Sequence, residues 1–361
     1  MAAAPVVDLG LLAGDGSAPP HSALVATVRA ALLGESNGAM VLVNHGVPAA
    51  LMGAMFDHLD GFMAQPLEAK LRCAVDEGSP LWQGSGYYTF GQSEARIDPE
   101  RAGVDTLGRS GEGTAGAQKE KRFTGATVVD DRGAEAGASL TSSAKRRLTE
   151  FYMFKFEQRA RPHNVWPSDG FRADCEAYVD AVLAMARRLL PVIAVALDLP
   201  AETFDAGFTD PNAQLRCNHY PPTPEGQEGG MRIGGHTDSS FMTLLPQRAD
   251  QPKGLELQRA DGSWVSPEPI GGSFLVNVGK ILKLWSNGAA RPTPHRVVDI
   301  VVDRISLPLF LHPNWDCLLS PITTAAGATD AEPLFPTMSV GEFMRKWHGG
   351  ELASDAVLSK L

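Results

Sequence analysis

His236-Thr237-Asp238 and the later Pro294-His295-Arg296-Val297 place two histidines and one carboxylate in the order of a facial metal triad. Such a set holds Fe(II) on one face of an octahedron and leaves the other positions open to substrate and oxygen. Residues i and i+2 share one side of a strand, so His236 and Asp238 can reach one ion if their segment is extended. Arg232–Leu245 reads as extended: Ile233, Phe241, Met242, Thr243, Leu244 and Leu245 suit a strand, and Gly234-Gly235 permit close backbone approach. With nine histidines in the chain a chance His-x-Asp is common, so the weight falls on the surroundings.

Two further pairs share the i, i+2 spacing. Arg304 and Ser306 lie on one strand face, an Arg fork plus a hydroxyl suited to a carboxylate. Their neighbours Ile305, Leu307, Leu309 and Phe310 read as buried, and a buried Arg calls for an anion. Asn218 and Tyr220, in Arg216-Cys217-Asn218-His219-Tyr220-Pro221-Pro222, can reach the same anion or a metal-bound ligand, which turns His219 the other way.

The elements that would position these groups follow from pattern. Pro5–Leu9 reads as a short strand, Ser22–Leu33 as a helix with Ser22 as N-cap and Gly34 as stop, Ala39–Val43 as a buried strand, and Pro48–Met63 as a helix. Phe171–Leu197 is the strongest helix, with Tyr178, Val182, Met185, Leu189 and Val192 at 3–4 residue spacing, and it reads as a scaffold. From Gln214 to Pro313 short β-like runs alternate with turns: Gly254–Leu257, Trp264-Val265, Phe274–Val278, Arg296–Val302 and Ile305–Leu311. That density of strands indicates a barrel or double-sheet jelly roll. Between about 78 and 142 the chain is rich in Gly, Ser, Thr and charge, a long loop of the kind that covers active sites; Gly86–Gly91, with Tyr87 and Phe90, is its aromatic spot.

Composition excludes some roles. Thirty-two basic against 42 acidic residues, a net charge of −10, argue against nucleic acid or an anionic membrane as partner. No segment reads as a signal peptide or membrane span. Cys73, Cys175, Cys217 and Cys317 are scattered, as expected of reduced cytoplasmic thiols. The expectation is a cytoplasmic protein without an obligate protein partner.

The ordered motifs Asn44-His45-Gly46-Val47-Pro48, Pro66–Lys70, Asn164-Val165-Trp166-Pro167, Asn218–Pro221, His236-Thr237-Asp238, Gly254-Leu255-Glu256, Asp261–Val265, Asn277-Val278-Gly279, Trp285–Gly288, His295-Arg296-Val297 and Arg304-Ile305-Ser306 resemble, over nearly the whole chain, the isopenicillin N synthase-like iron(II)/2-oxoglutarate-dependent oxygenases. The resemblance implies an α+β protein with a mainly β core, a double-stranded β-helix (jelly roll, cupin-like) flanked by helices. It implies iron on His236, Asp238 and His295, 2-oxoglutarate on Arg304 and Ser306 with Tyr220 and Asn218 in contact, and O2 as co-reactant. Phe310, Tyr87 and Phe90 are the expected substrate contacts. The implied reaction is hydroxylation, desaturation or ring formation on a small molecule of secondary metabolism, with succinate and CO2 as co-products. Asp238 excludes the halogenase variant, in which a small residue replaces the carboxylate. Two departures stand out. Lys280 replaces the family's Asp, which predicts altered hydrogen bonding near the metal rather than loss of it, and Gly103–Gly137 has no family counterpart.

Four regions are expected: 1–150, an N-terminal helix and strand region with the long loop; 151–200, the scaffold helix; 201–320, the jelly-roll core; and 321–361, a C-terminal segment that is a candidate cover for the active site. The competing readings are an oxidase of the isopenicillin N synthase or aminocyclopropane-carboxylate oxidase type, which does without 2-oxoglutarate, and a non-enzymatic jelly-roll scaffold.

Overall fold

Two β-sheets lie face to face, and helices cover the outer side of the larger one. The computed structural model describes residues 4–12, 20–75, 85–89, 149–158, 160–223, 225, 230–327, 332–348 and 352. Phe90 and most of the expected 78–142 loop, including Gly103–Gly137, lie outside the described residues. In chain order the first strands are β1 (Val6–Asp8), β2 (Met40–Val43), β3 (Gly86–Tyr88), β4 (Glu150–Lys155) and β5 (Asn212–Tyr220). Then come β6 (Met231–His236), β7 (Met242–Pro246), β8 (Leu255–Gln258), β9 (Trp264–Val265) and β10 (Phe274–Val278). The last are β11 (His295–Val298), β12 (Arg304–Ser306), β13 (Leu309–His312), β14 (Leu318–Leu319) and β15 (Met338–Ser339). The helices are α1 (Ser22–Leu33), α2 (Ala49–Met63), α3 (Leu67–Leu71), α4 (Asp169–Ala196), α5 (Lys280–Trp285) and α6 (Val340–His348).

The larger sheet runs β1-β2-β10-β7-β13-β5-β4-β3 with β12 also on β5, and the smaller runs β6-β11-β8-β9. Strand alternation in β5 shows why two sheets form. Ala213, Leu215 and Cys217 are fully buried in the main core with Tyr178, Val182 and Leu189 of α4. Gln214, Arg216, Asn218 and Tyr220 occupy the other face, toward the space between the sheets. There Val41, Leu245 and Leu275 of the larger sheet meet Leu257 of the smaller. Each fully buried aliphatic or aromatic side chain of this kind contributes about 1.5–3 kcal/mol of transfer free energy. The result is the expected jelly roll, an α+β protein with a mainly β core. Strands from the first 155 residues enter the same sheet as those of the catalytic half: β2 pairs with β10, and β4 with β5.

Three local expectations change. The cap of α1 is His21, whose Nδ1 accepts from the Ala23 N–H, and Ser22 is the first helical residue. Arg232–Leu245 is two strands rather than one extended run, because the chain changes sheets between β6 and β7. The runs 296–302 and 305–311 are shorter than expected: β11 stops at Val298, and Leu307-Pro308 separates β12 from β13, where a proline has no N–H to give the ladder.

On the helix face, α3 delivers a buried ion cluster. Lys70 Nζ donates to both Glu150 oxygens at 2.9 and 2.8 Å, and the Tyr87 hydroxyl donates to the same carboxylate. His219 donates from Nδ1 to Glu150 (2.7 Å) and from Nε2 to Asp303 (2.8 Å). Burial opposes both charges, yet these bonds overcome it: Glu150 is held below its ordinary 4.5 and His219 above its ordinary 6.5. A raised histidine stabilises fully below about pH 6.5 and loses that contribution as pH rises through its folded value; a lowered carboxylate contributes above about pH 4.5 and loses it as pH falls. The gap in thermal midpoint between wild type and His219→Gln is therefore expected to be widest between pH 4.5 and 6.5. A gap that widened as pH rose above that window would contradict the assignment.

Candidate metal centre

β6 and β11 run antiparallel, and their register sets His236 directly opposite His295. The next pairs are Val297↔Ile233 and Val298↔Met231, so β6 carries an extra residue at Gly234-Gly235, a bulge that re-aims His236. Close approach is not what Gly234 supplies, since a Cβ there would meet nothing within 4 Å. Past His236 the chain crosses from the smaller sheet to the larger, and Asp238 sits in that crossing. The 279–281 backbone pins it: Lys280 N–H donates to the Asp238 carbonyl (2.8 Å), Gly279 N–H to Phe241 (3.0 Å) and Ile281 N–H to Ser240 (3.1 Å). A Cβ on Gly279 would lie 1.9 Å from the Ser240 carbonyl oxygen, so only glycine lets these segments meet.

The three side chains converge. One ligand atom from each of His236, Asp238 and His295 lies within 4.8 Å of the others, the spread of atoms around one ion. Asp238 Oδ1 is 3.8 Å from His236 Nε2 and 3.6 Å from His295 Nε2. Both Nδ1 atoms face carbonyls two residues back, Gly234 at 2.9 Å and Thr293 at 3.0 Å. Donating there fixes the tautomer and leaves each Nε2 lone pair aimed at the common point. Burial, and then the neighbouring His295, push the His236 imidazole down to about 4, so it is unprotonated at neutral pH as metal binding requires.

The Thr243 hydroxyl donates to Asp238 Oδ2 at 2.6 Å, which fixes the carboxylate with Oδ1 left over. Nothing in the sequence singled out Thr243 beyond its place in a strand, although the inward side of β7 is where such a partner must stand. Replacing Thr243 with Val is expected to weaken Fe(II) binding about ten- to a hundredfold with little change in fold stability. Metal titration of the variant against wild type checks this, and equal affinities would refute it. Lys280, where the family has Asp, lies with its Nζ 4.3 Å from the Trp347 ring centroid, turned toward α6, while its backbone N–H serves the metal loop.

Beside the triad, β12 pairs with β5 so that Arg304 faces Tyr220 and Ser306 faces Asn218. Arg304 is 6% exposed, 5.1 Å from the Tyr220 ring centroid, and its Nε and Nη1 have no hydrogen-bond partner among the described residues. Asn218 Nδ2 donates to the Ser306 hydroxyl at 3.3 Å and its Oδ1 accepts from Arg216 Nε at 2.8 Å. Phe310 is half-buried and stands opposite both Gln214 and Thr243, hence on the metal's side of the sheet. Tyr87, by contrast, is fully buried in the main core with its hydroxyl spent on Glu150, so it presents no atom to a ligand. His219 belongs to the ion cluster on the opposite face, as its strand position predicts.

Residues 211–313 match the 2OG-Fe(II) oxygenase superfamily model, and residues 4–106 match the model described as non-haem dioxygenase in morphine synthesis N-terminal. The chain belongs to the 2OG-Fe(II) oxygenases. Among curated relatives, the 2-oxoglutarate-Fe(II) type oxidoreductase hxnY of Emericella nidulans is 27% identical over 95% of this chain and 88% of its own length. The homoarginine-6-hydroxylase 2-ODD-233 of Oryza sativa subsp. japonica is 32% identical over 53% of this chain, a match that spans 61% of the hydroxylase. The same fold is seen in the full-length Neurospora crassa protein crystallised with alpha-KG and thymine, with a TM-score of 0.70, 22% identity and coverage of 97% and 100% of the two chains.

This oxygenase is an enzyme that uses Fe(II) and 2-oxoglutarate, and its residues fit both. The donor set is two imidazoles and a carboxylate on one side of an ion, a recognised ligand set for non-haem Fe(II). Nε and Nη1 of the buried Arg304, which have no partner among the described residues, suit a carboxylate. The named relatives speak for 2-oxoglutarate use over cosubstrate-free oxidase chemistry.

Proposed function

We propose that this oxygenase oxidises an unactivated C–H bond of a small molecule by hydroxylation, desaturation or ring formation, consuming 2-oxoglutarate and O2 and releasing succinate and CO2. The observation that carries this reading is the buried Arg304 guanidinium, whose Nε and Nη1 have no partner among the described residues, together with a converged His–Asp–His cluster. Iron(II) with 2-oxoglutarate supplies the chemistry by which O2 reaches such a bond, and the protein supplies position and a water-poor space.

His236, Asp238 and His295 would hold the metal from one side and leave the opposite side free for cosubstrate and oxygen. Arg304 Nε and Nη1, with the Ser306 hydroxyl, would take the distal carboxylate of 2-oxoglutarate, and Tyr220 and Asn218 would flank it. Burial of Arg304 favours this use, because an anion offsets the desolvation that holds its pKa below the ordinary value. Phe310 is the expected contact for the substrate's carbon skeleton. The homoarginine named for one relative supports a small-molecule substrate of the same general size. Free Cys73, Cys175, Cys217 and Cys317 support a reducing, cytoplasmic setting.

Anaerobic addition of Fe(II) and then 2-oxoglutarate to the metal-free protein tests the reading. A weak visible charge-transfer band that needs both additions, followed by succinate formation on admitting O2, is the expected result. Absence of the band with iron demonstrably bound would overturn it.

A further inference from the structure

Arg216 lies on the inner face of β5, two residues before Asn218, and its guanidinium is set in place on two sides. Nε donates to Asn218 Oδ1 at 2.8 Å, and the guanidinium carbon stands 3.7 Å from the Phe151 ring centroid. Phe151 is itself stacked on Tyr88, with centroids 4.4 Å apart and planes 12° from parallel. These supports use one edge and one face of the group. Nη1 and Nη2, the atoms that grip a carboxylate in a fork, make no hydrogen bond to any described residue, and the side chain is only half-buried.

Arg304 and Arg216 both stand on the inner faces of larger-sheet strands, and one molecule of 2-oxoglutarate does not need both. Arg304 pairs in register with Tyr220. Arg216 is four residues back along β5, roughly 13 Å at strand rise, next to Pro308, whose carbonyl accepts its backbone N–H at 3.0 Å. Phe310 stands opposite Gln214, hence diagonal to Arg216 across the β5–β13 ladder and within reach of a long side chain. A fixed guanidinium fork beside a half-exposed aromatic ring recognises a particular chemistry: a carboxylate on a flat apolar body.

Building on the oxygenase reading, we propose that Arg216 is the anchor for the primary substrate, that this substrate is a small acid with an aromatic or unsaturated body, and that Phe310 receives that body. Arg216 acts here as a binding and specificity residue that presents the acid's carbon skeleton to the metal side of the barrel. Asn218 and Phe151 are positioning residues that hold its fork open.

The test uses the full chain loaded anaerobically with Fe(II) and 2-oxoglutarate, and matched probes: benzoate, phenylacetate and cinnamate, each against its carboxamide. Dissociation constants come from calorimetry and from perturbation of the visible band. At least one acid is expected to bind about ten- to a hundredfold more tightly than its amide, the range of a charge-assisted pair. Arg216→Gln should bring acid and amide level, while Arg216→Lys keeps part of the difference. In both variants the affinity for 2-oxoglutarate, which also reports correct folding, should shift by less than about threefold, the size of a lost exposed contact. No acid preference in wild type, a preference that survives Arg216→Gln, or a loss of 2-oxoglutarate affinity equal to the loss of acid affinity would each overturn the proposal. A missing band in wild type would instead overturn the oxygenase reading beneath it.

Discussion

Arg304→Met is expected to make the ligand-free protein more stable and the enzyme inactive. The reason lies in what surrounds the guanidinium. Arg304 is 6% exposed, its Nε and Nη1 are unpartnered among the described residues, and burial holds its pKa below the usual range, with Tyr220 offsetting only part of that cost. A buried charge without a counter-charge is a penalty that a side chain of similar length and no charge removes, worth about 1–2 kcal/mol here. On the proposed binding of 2-oxoglutarate by Arg304, the same substitution would delete two charge-assisted bonds to the cosubstrate, so 2-oxoglutarate affinity should fall about a hundredfold or more. Ligand linkage gives a third readout: at about 100 times its dissociation constant 2-oxoglutarate should stabilise wild type by about 2.7 kcal/mol, and the variant hardly at all. Thermal melts with and without 2-oxoglutarate check all three. A variant less stable than wild type that still responds to 2-oxoglutarate would place the cosubstrate elsewhere.

Asp238→Ala carries the second large effect. Its carboxylate is the only anionic member of the triad, and Oδ2 is already committed to Thr243 at 2.6 Å. Loss of the ligand should lower Fe(II) affinity by more than about a hundredfold, beyond the range for losing a supporting residue, and succinate formation should cease. The fold should hold, because Thr243 keeps Ser240 as a partner at 3.1 Å, and the change in stability is expected within about 1 kcal/mol. Asp238→Asn keeps the shape and removes the charge, so it should resemble Ala in iron binding. Iron content after reconstitution and desalting, measured beside circular dichroism, separates loss of metal from loss of fold. Stoichiometric iron in Asp238→Ala would remove Asp238 from the ligand set.

Residue type and strand period made much of this centre legible in advance. The i, i+2 rule placed Arg304 with Ser306 and Asn218 with Tyr220, and β12 and β5 pair those residues face to face. The same rule sent His219 to the helix side, where it bridges Glu150 and Asp303. His236 and Asp238 do converge, but the single extended run expected over Arg232–Leu245 is broken, because a change of sheet between β6 and β7 leaves no periodic trace; the turn is held by backbone bonds to 279–281, distant in sequence. Tyr87 misled for a related reason. An aromatic in a Gly-rich stretch reads as a pocket residue, yet its hydroxyl is drawn to Glu150, 63 residues away in the chain. Arg216 was open to the same reasoning that found Asn218. Ala213, Leu215 and Cys217 form one apolar face of β5, and the residues between them must face inward.

Iron is expected among His236 Nε2, Asp238 Oδ1 and His295 Nε2, with 2-oxoglutarate reaching Arg304. Diffraction at the iron absorption edge, from crystals grown anaerobically with Fe(II) and 2-oxoglutarate, measures that directly. One anomalous peak within bonding distance of those three atoms, with a carboxylate of the bound keto acid on Arg304 Nε and Nη1, is the expected result. A peak displaced to other side chains, or a cosubstrate that leaves the Arg304 fork empty, would contradict it.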